Sequence, residues 1–378
     1  MNAILTLNAG SSSIKFAIYA GTDDPQELAR GQIDNLGPDA RMVFGDEKNA
    51  IDAPDHKTGV HQILQTVAPI LDGRTVAGIG HRIVHGGVEF DKPQILDTAV
   101  LEKLAALKPL APLHQPHNLA AVDAAITAFP DAVQVGCFDT GFHRGHPFVN
   151  DTFALPRRYY EKGVRRYGFH GLSYDFVSGE VARLYPDLAA GRVVIAHLGN
   201  GASMCALRAG KSVGSTMGFS ALDGLPMGTR CGQLDPGVML YLMDQEGMNA
   251  DQISTMLYKE SGLKGMSGIS HDMRDLETSD APEAAEAIDY FVFRIRRELG
   301  GMAAVLGGLD ALVFCGGIGE NARNIRARVC DGMDWLGLAV NADANDQNAQ
   351  DISAGPTKVL VIPTDEERVI ARAVAAQV

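Results

Sequence analysis

Two arginines and one histidine stand in glycine-rich stretches with no helical pattern. Arg82 lies in GIGHRIVHGG (78–87), His170 in RRYGFHGLSY (165–174) and Arg230 in GLPMGTRCG (224–232). Asp139 follows the apolar run AVQVGCF and opens into FDTGFH (138–143). A planar guanidinium meets a carboxylate or a phosphate through two parallel N–H···O bonds, so this set suits an oxyanionic substrate. With a strand period of two, Arg82 and Val84 share one face, and His81, Ile83 and His85 share the other. An arginine beside an apolar wall is what a short carboxylate with an alkyl tail requires. Taken singly, each residue reads first as a surface ion pair, a turn residue or a satisfied core polar group. Their joint occurrence in glycine-bracketed settings reads as a site. His81 and His85 have the i,i+4 spacing of a zinc pair, but that spacing serves a helix, and no third ligand accompanies them here.

Three loops of small residues each follow a buried-strand candidate: Asn8–Ser13, Gly199–Ser203 and Gly316–Asn321. Successive backbone N–H groups in such turns form anion-binding concavities. The third precedes the helix-like ENARNIRARVC, whose N-terminus would add to the field. Three such loops in one chain argue for a nucleotide. Other phosphate and nucleophile signatures fail. GxxxxGK[ST] is absent. GIGENA (317–322) fits GxGxxA but lies too near the C-terminus for a full dinucleotide fold. GKSVG (210–214) fits GxSxG, but no helix pattern follows it.

The elements that must hold these residues alternate. RVVIAHL, ALVFC and KVLVIP read as buried strands, and the run 282–308 has helical spacing with Pro282 at its start. Such alternation indicates α/β layers. Residues 195–207, IAHLGNGASMCAL, echo ILTLNAGSSSIKF from Ile4: Gly10 aligns with Gly201 and Ser12 with Ser203. The echo points to a duplicated unit, although turn glycines and serines recur in any hairpin. At 378 residues there is room for two domains, and TGFHRGHPFVNDTFALP (140–156) is the boundary candidate. The net charge of -13 argues against a nucleic-acid partner. Five dispersed cysteines without a CxxC pair read as reduced residues of a cytoplasmic protein. The N-terminus lacks a signal-peptide pattern, and the apolar stretch 299–319 is interrupted by Asp310 and glycines, so no membrane association is expected.

The ordered motifs LNAGSSSIKF, GHRIVHGG, APLHQPHNL, FDTGFH, RRYGFHG, HLGNGAS, GLPMGTR, SGISHDMR, GGIGENA and PTDEE together resemble the acetate kinase family. That family belongs with sugar kinases, heat-shock cognate ATPases and actin. The resemblance implies an α/β, duplicated actin-like (ribonuclease H-like) two-domain fold with a nucleotide cleft between the domains. It places the N-terminal domain at 1–143, joined by the helix 367–378, and the nucleotide-binding domain at 144–366. It implies Mg²⁺-dependent phosphorylation of acetate by ATP, giving acetyl phosphate and ADP, with Mn²⁺ as a substitute metal and a homodimer as the assembly.

Residue by residue, the resemblance assigns Arg82 and Arg230 to the carboxylate and the transferring phosphoryl group. His170 is assigned to the transition state and Asp139 to catalysis as a metal or water organiser. Asn8 and Glu366 are associated with the metal. Ser11, Ser12 and Lys15 belong to the first loop, His197, Gly199, Asn200 and Gly201 to the second. Gly316, Gly317, Ile318, Gly319, Glu320 and Asn321 form the third. Asp272, Met273 and Arg274 hold the adenosine. Val84, Leu113, Phe169 and Ala221 line the alkyl pocket. The chemistry agrees with the residues, because an ionised carboxylate needs no base and transfer is chiefly positioning and charge neutralisation.

The chain also departs from the family pattern. SALDG replaces the frequent TPLEG, so Ala221 stands at a pocket proline and propionate use alongside acetate is expected. HGLSY replaces HGTSH, Asp365 replaces an asparagine, and the segment around 30–70 is shorter. Three alternatives are weighed. A propionate- or butyrate-preferring relative would use the same motifs. A pyrophosphate-dependent relative would dispense with SGISHDMR and GGIGENA. An actin-like ATPase would not need Arg82 and Arg230.

Overall fold

The computed structural model describes residues 2–10, 12–21, 23–112 and 114–378. The expectations on Ser11 and Leu113 therefore lie outside the described residues. The chain divides into two units. The first comprises Met1–Arg144 with Asp365–Val378, and the second Gly145–Thr364.

The first unit is built on β1 (Asn2–Ala9), β2 (Ile14–Ala20), β3 (Gln26–Asp34), β4 (Arg41–Phe44), β5 (Glu47–Ala50), β6 (Thr75–Ile83), β7 (Gln94–Ile95) and β8 (Val133–Phe138). They form one sheet in the order β5-β4-β3-β2-β1-β6-β8-β7. β1 is a continuous buried run because the sheet is covered on both faces, the pattern of interior strands. One face packs against helices His56–Leu71 and Gln115–Ala128, with Leu5, Leu7, Ile79, Val60, Ile63 and Ala124 in a single core. On β6, a side chain at Gly80 would strike Ile370 and Val374, so this glycine lets helix Glu366–Ala375 lie directly on the sheet.

The second unit contains β9 (Arg192–Leu198), β10 (Ala202–Arg208), β11 (Lys211–Ser215), β12 (Ala311–Cys315) and β13 (Lys358–Val361), in the order β11-β10-β9-β12-β13. This repeats β3-β2-β1-β6-β8 in both order and direction. β1 and β9 each pair antiparallel with the next strand and parallel with β6 or β12. The outer neighbours β8 and β13 are again parallel, and β3 and β11 antiparallel. The echo in the sequence thus marks the first hairpin of each half. The expected long helix runs Pro282–Leu306 and stops at Gly307, which takes φ 73° as a left-handed terminator.

Three local expectations need correction. β6 ends at Ile83, so Val84 and His85 lie beyond it and do not continue its alternation. β1 extends through Asn8 and Ala9, and the Gly10 N–H beyond it donates to the Ser13 carbonyl at 2.8 Å. Gly316–Asn321 is itself a helix, followed after Ala322 by a second helix, Arg323–Cys330. The Glu320 side chain folds back to accept from the Gly316 N–H at 2.9 Å, which supports helix where composition alone reads as loop.

Candidate functional site

In the first unit, β1, β6 and β8 are mutually parallel, so their C-terminal ends share one edge, the usual place for function in open α/β sheets. Asn8, Arg82 and Asp139 come from those three ends, and Glu366 from the first turn of helix Glu366–Ala375. Arg82 Nε donates to Asp139 Oδ1 and Oδ2 at 3.1 and 3.0 Å, and Nη2 to Oδ2 at 2.6 Å. Nη1 donates to Asn8 Oδ1 at 3.1 Å, and Asn8 Nδ2 donates to Glu366 Oε2 at 3.4 Å. Glu366 lies 3.8 Å from Arg82 Nε. The fold brings these four residues into one cluster.

Burial opposes the charge on Arg82, but Asp139 and Glu366 outweigh it and hold the guanidinium protonated above its ordinary range. Burial pushes the Asp139 carboxyl upward, against the pull of Arg82. Asp139 occupies the Nε–Nη2 edge of the fork. One N–H on each terminal nitrogen then remains for an incoming oxyanion. Asn8, Asp139 and Glu366 offer oxygen donors only, which suits a hard cation such as Mg²⁺.

Positioning residues that motif reading missed support this edge. Asn118 Oδ1 accepts from the Val84 N–H at 2.9 Å while its Nδ2 donates to the Ala9 carbonyl at 2.6 Å. Gln115 holds both the N–H and the carbonyl of His85, and Thr140 Oγ1 accepts from Gly86 N–H. Gln115 and Asn118 stand in the quoted APLHQPHNL, and their signal was an amide side chain on an otherwise apolar helix face. Val84 itself is buried. Lys15 stands on β2 with its side chain exposed, and Ser12 lies in the bend.

In the second unit, His170 precedes helix Gly171–Leu184 in a left-handed conformation, φ 58°. Its ring stacks on His197 of β9, with centroids 4.4 Å apart and planes 25° apart. Gly199 N–H donates to the Gly201 carbonyl at 3.0 Å and closes the turn between β9 and β10. A Cβ on Gly201 would lie 3.0 Å from Arg230 Nη2 and 3.1 Å from His170 Nε2. The glycine therefore brings both cationic or donor groups onto one loop. Arg230 Nη1 donates to the Ala221 carbonyl at 2.9 Å, tying the arginine to the residue assigned to the alkyl pocket. Phe169 is buried.

The third segment is braced internally. Besides Gly316, Glu320 Oε1 accepts from the Thr364 N–H at 3.1 Å, and Asn321 Nδ2 donates to the Gly317 carbonyl at 2.9 Å. Gly319 is buried, and Gly317 and Ile318 lie at the more open start of the helix. Arg326, wholly buried, donates to the Gly319 and Glu320 carbonyls at 2.9 and 2.8 Å and to Asn345 Oδ1 at 2.8 Å. The sequence reading missed this residue, since an arginine in ENARNIRARVC looks like ordinary helix surface. A side chain at Gly228 would meet Asn200 Oδ1 and the His271 carbonyl, so the Gly199–Gly201 loop, the Arg230 turn and the 271–274 segment converge. Asp272 and Arg274 pair with each other through Arg274 Nε at 3.0 Å, which draws the Asp272 carboxyl down to about 2. Met273 is buried at the start of helix Met273–Glu277.

Among the described residues no helix is long and apolar enough to cross a membrane. Residues 3–372 match the acetokinase family profile. The acetate kinase of Methylocella silvestris is 55% identical over 98% of this chain and 96% of that protein. That of Rhodopseudomonas palustris is 49% identical over 98% of this chain and 97% of its own length. Among solved structures, a propionate kinase from Francisella tularensis superposes with a TM-score of 0.93 at 35% identity, covering 99% of both chains. Porphyromonas gingivalis acetate kinase gives 0.89 at 36% identity, covering 100% of this chain and 99% of its own. The duplicated α/β fold is thus of the actin-like type, and the chain belongs to the acetokinase family.

Proposed function

We propose that this protein is an acetate kinase, transferring the γ-phosphoryl group of ATP reversibly and directly to acetate. The observation that carries the reading is the Arg82 fork, steadied along one edge by Asp139 and at Nη1 by Asn8, with one N–H left on each terminal nitrogen. An acetate oxygen attacks phosphorus, the bond to the β–γ bridging oxygen breaks, and ADP departs with that electron pair. No proton has to move, since acetate is ionised at neutral pH. Arg82 orients and neutralises the carboxylate or the moving phosphoryl group. Arg230 and His170 supply donors at the Gly199–Gly201 loop. Asp272, Arg274 and the 316–321 segment take the nucleoside, with Ser12 and Lys15 facing phosphate.

The all-oxygen set of Asn8, Asp139 and Glu366 would hold Mg²⁺, or Mn²⁺ in its place, when the nucleotide is bound. That cation would supply neutralisation of phosphate charge. We further assign the enzyme to the cytoplasm and to a homodimer, following the family resemblance.

Trapping with hydroxylamine tests the reading. Mg-ATP with acetate should yield acetyl hydroxamate, and Arg82→Ala and Arg230→Ala should abolish it. ADP release without hydroxamate from acetate, propionate or butyrate would overturn it. The propionate kinase neighbour and Ala221 favour propionate as a second substrate. An added methylene is worth roughly 0.8 kcal/mol of burial. If so, Ala221→Pro lowers the propionate-to-acetate ratio of kcat/KM, and an unchanged ratio removes Ala221 from the specificity argument.

A further inference from the structure

Behind His170 runs a buried polar line that the proposed reaction leaves unexplained. His170 Nδ1 lies 2.8 Å from the Ser203 hydroxyl, and that hydroxyl is also hydrogen-bonded to the Tyr174 phenol. Ser203 and Tyr174 are both 0% exposed. Tyr174 sits one helical turn after His170, its N–H donating to the His170 carbonyl at 3.0 Å, and Ser203 comes from β10. The neighbouring ring is arranged alike, with His197 Nδ1 2.8 Å from the Ser173 hydroxyl. Each stacked imidazole thus has a serine at Nδ1. The His170 Nε2 faces the Gly199–Gly201 loop, where a Cβ on Gly201 would be 3.1 Å away.

A neutral imidazole carries one proton, and the partner of one nitrogen decides what the other presents. An oxyanion needs N–H there and is repelled by a lone pair. A buried phenol is a dependable donor, and burial holds the Tyr174 hydroxyl far above its ordinary pKa range. If Tyr174 donates to Ser203 Oγ, the serine proton goes to His170 Nδ1, and the imidazole proton sits on Nε2.

We propose that Tyr174 and Ser203 are positioning residues that hold His170 as its Nε2–H tautomer, aiming a donor at the loop that receives the phosphoryl oxygens. The proposal rests on the acetate kinase reading for its consequence in turnover, but the tautomer is observable without turnover. Tyr174 is also one of this chain's departures, standing in HGLSY where the family's common pattern is HGTSH.

The test uses the full-length protein, ¹⁵N-labelled at histidine, with the His170 resonances assigned by their loss in His170→Gln. Imidazole ¹⁵N shifts separate the two tautomers. The wild-type ring should be Nε2–H, and Tyr174→Phe and Ser203→Ala should move it towards a mixture. In both variants kcat should fall about ten- to a hundredfold with KM for ATP and acetate within about threefold, because the lost interaction is made in the transition state. Ser203→Thr, which keeps the hydroxyl, should restore tautomer and kcat. Tyr174→Phe removes one oxygen from the core and carries the test alone if Ser203→Ala does not fold. An Nδ1–H tautomer in the wild type, or a folded Tyr174→Phe with unchanged tautomer and kcat, overturns the proposal. Absence of hydroxamate from the wild type would instead defeat the acetate kinase reading and leave the tautomer result standing.

Discussion

Arg82 and Asp139 meet edge to edge, with Nη2 2.6 Å from Oδ2 and Nε about equidistant from both carboxylate oxygens, at 3.1 and 3.0 Å. The Asp139 side chain is 1% exposed and that of Arg82 22%. The pair is therefore asymmetric: removing the arginine strands a carboxylate in the interior, whereas removing the aspartate leaves a guanidinium with some access to water. Arg82→Ala should destabilise the first unit by about 3–5 kcal/mol, and Asp139→Asn by less. The double variant should cost less than the sum. Hydrogen exchange across β6 and β8 reads the order. Equal losses would mean that Asp139 finds another cation.

Stability should fall as the medium is acidified from pH 6.5, through two buried histidines beside the site. Burial lowers the His81 pKa to about 4, only partly offset by its hydrogen bond with Gln134, and lowers that of His85 to about 3, with Arg144 adding to the effect. Below pH 6.5 the unfolded chain takes up protons that the folded chain refuses. Stability is then lost with falling pH until the folded-state values are reached. The slope is about 1.4 kcal/mol per pH unit per histidine. Melting temperatures between pH 7.5 and 4.5 should show a shallower acid slope for His81→Gln than for the wild type. Parallel slopes would contradict the assignment.

Gly201→Ala should separate activity from folding. The backbone there needs no left-handed conformation, so the methyl group is felt through Arg230 Nη2 and His170 Nε2, both at about 3 Å. Both are side-chain ends that can retreat. We expect kcat to drop about tenfold or more, in line with the loss of an aimed donor. The melting temperature should move by only a few degrees. Unchanged kcat would show that neither group works from the position seen here.

Arg326 is a cation wholly inside the second unit, bonded to carbonyl and amide oxygens of Gly319, Glu320, Asn345 and Asn348. Arg326→Ala leaves several buried acceptors unpaired, each costing roughly 1–3 kcal/mol. The variant should melt lower and, because the 316–321 helix loosens, raise KM for ATP more than KM for acetate. Arg326→Lys should recover part of both. Equal rises in the two KM values would remove this arginine from nucleotide binding.

Much of the fold was legible because its signals are local. Buried strands read as apolar runs, the duplicated hairpins as the echo of residues 4–16 at 195–207, and the long helix as a periodic stretch from Pro282 to a terminating glycine. Local reading failed where a partner elsewhere in the chain decides. Gly316–Asn321 looks like a loop from its glycines, yet it is helical with its Glu320 carboxylate bonded to the Gly316 and Thr364 amides. Val84 looks like a continuation of β6, yet its N–H is taken by Asn118 and the strand stops before it.

The residue types and their spacing sufficed to predict α/β layers and to single out Arg82, Asp139, His170 and Arg230 for chemistry, while the family resemblance added the duplicated fold and the role of Asn8. A guanidinium, a carboxylate and a glycine turn carry their chemistry wherever they stand. Only the tertiary structure decided how those groups are held: Asn118 reaching the Ala9 carbonyl, Ser203 reaching His170, Arg326 bracing Gly319 and Glu320. Hydrogen bonds act over about 3 Å, and the register and packing of strands and helices distant in sequence determine which side chains come within that reach.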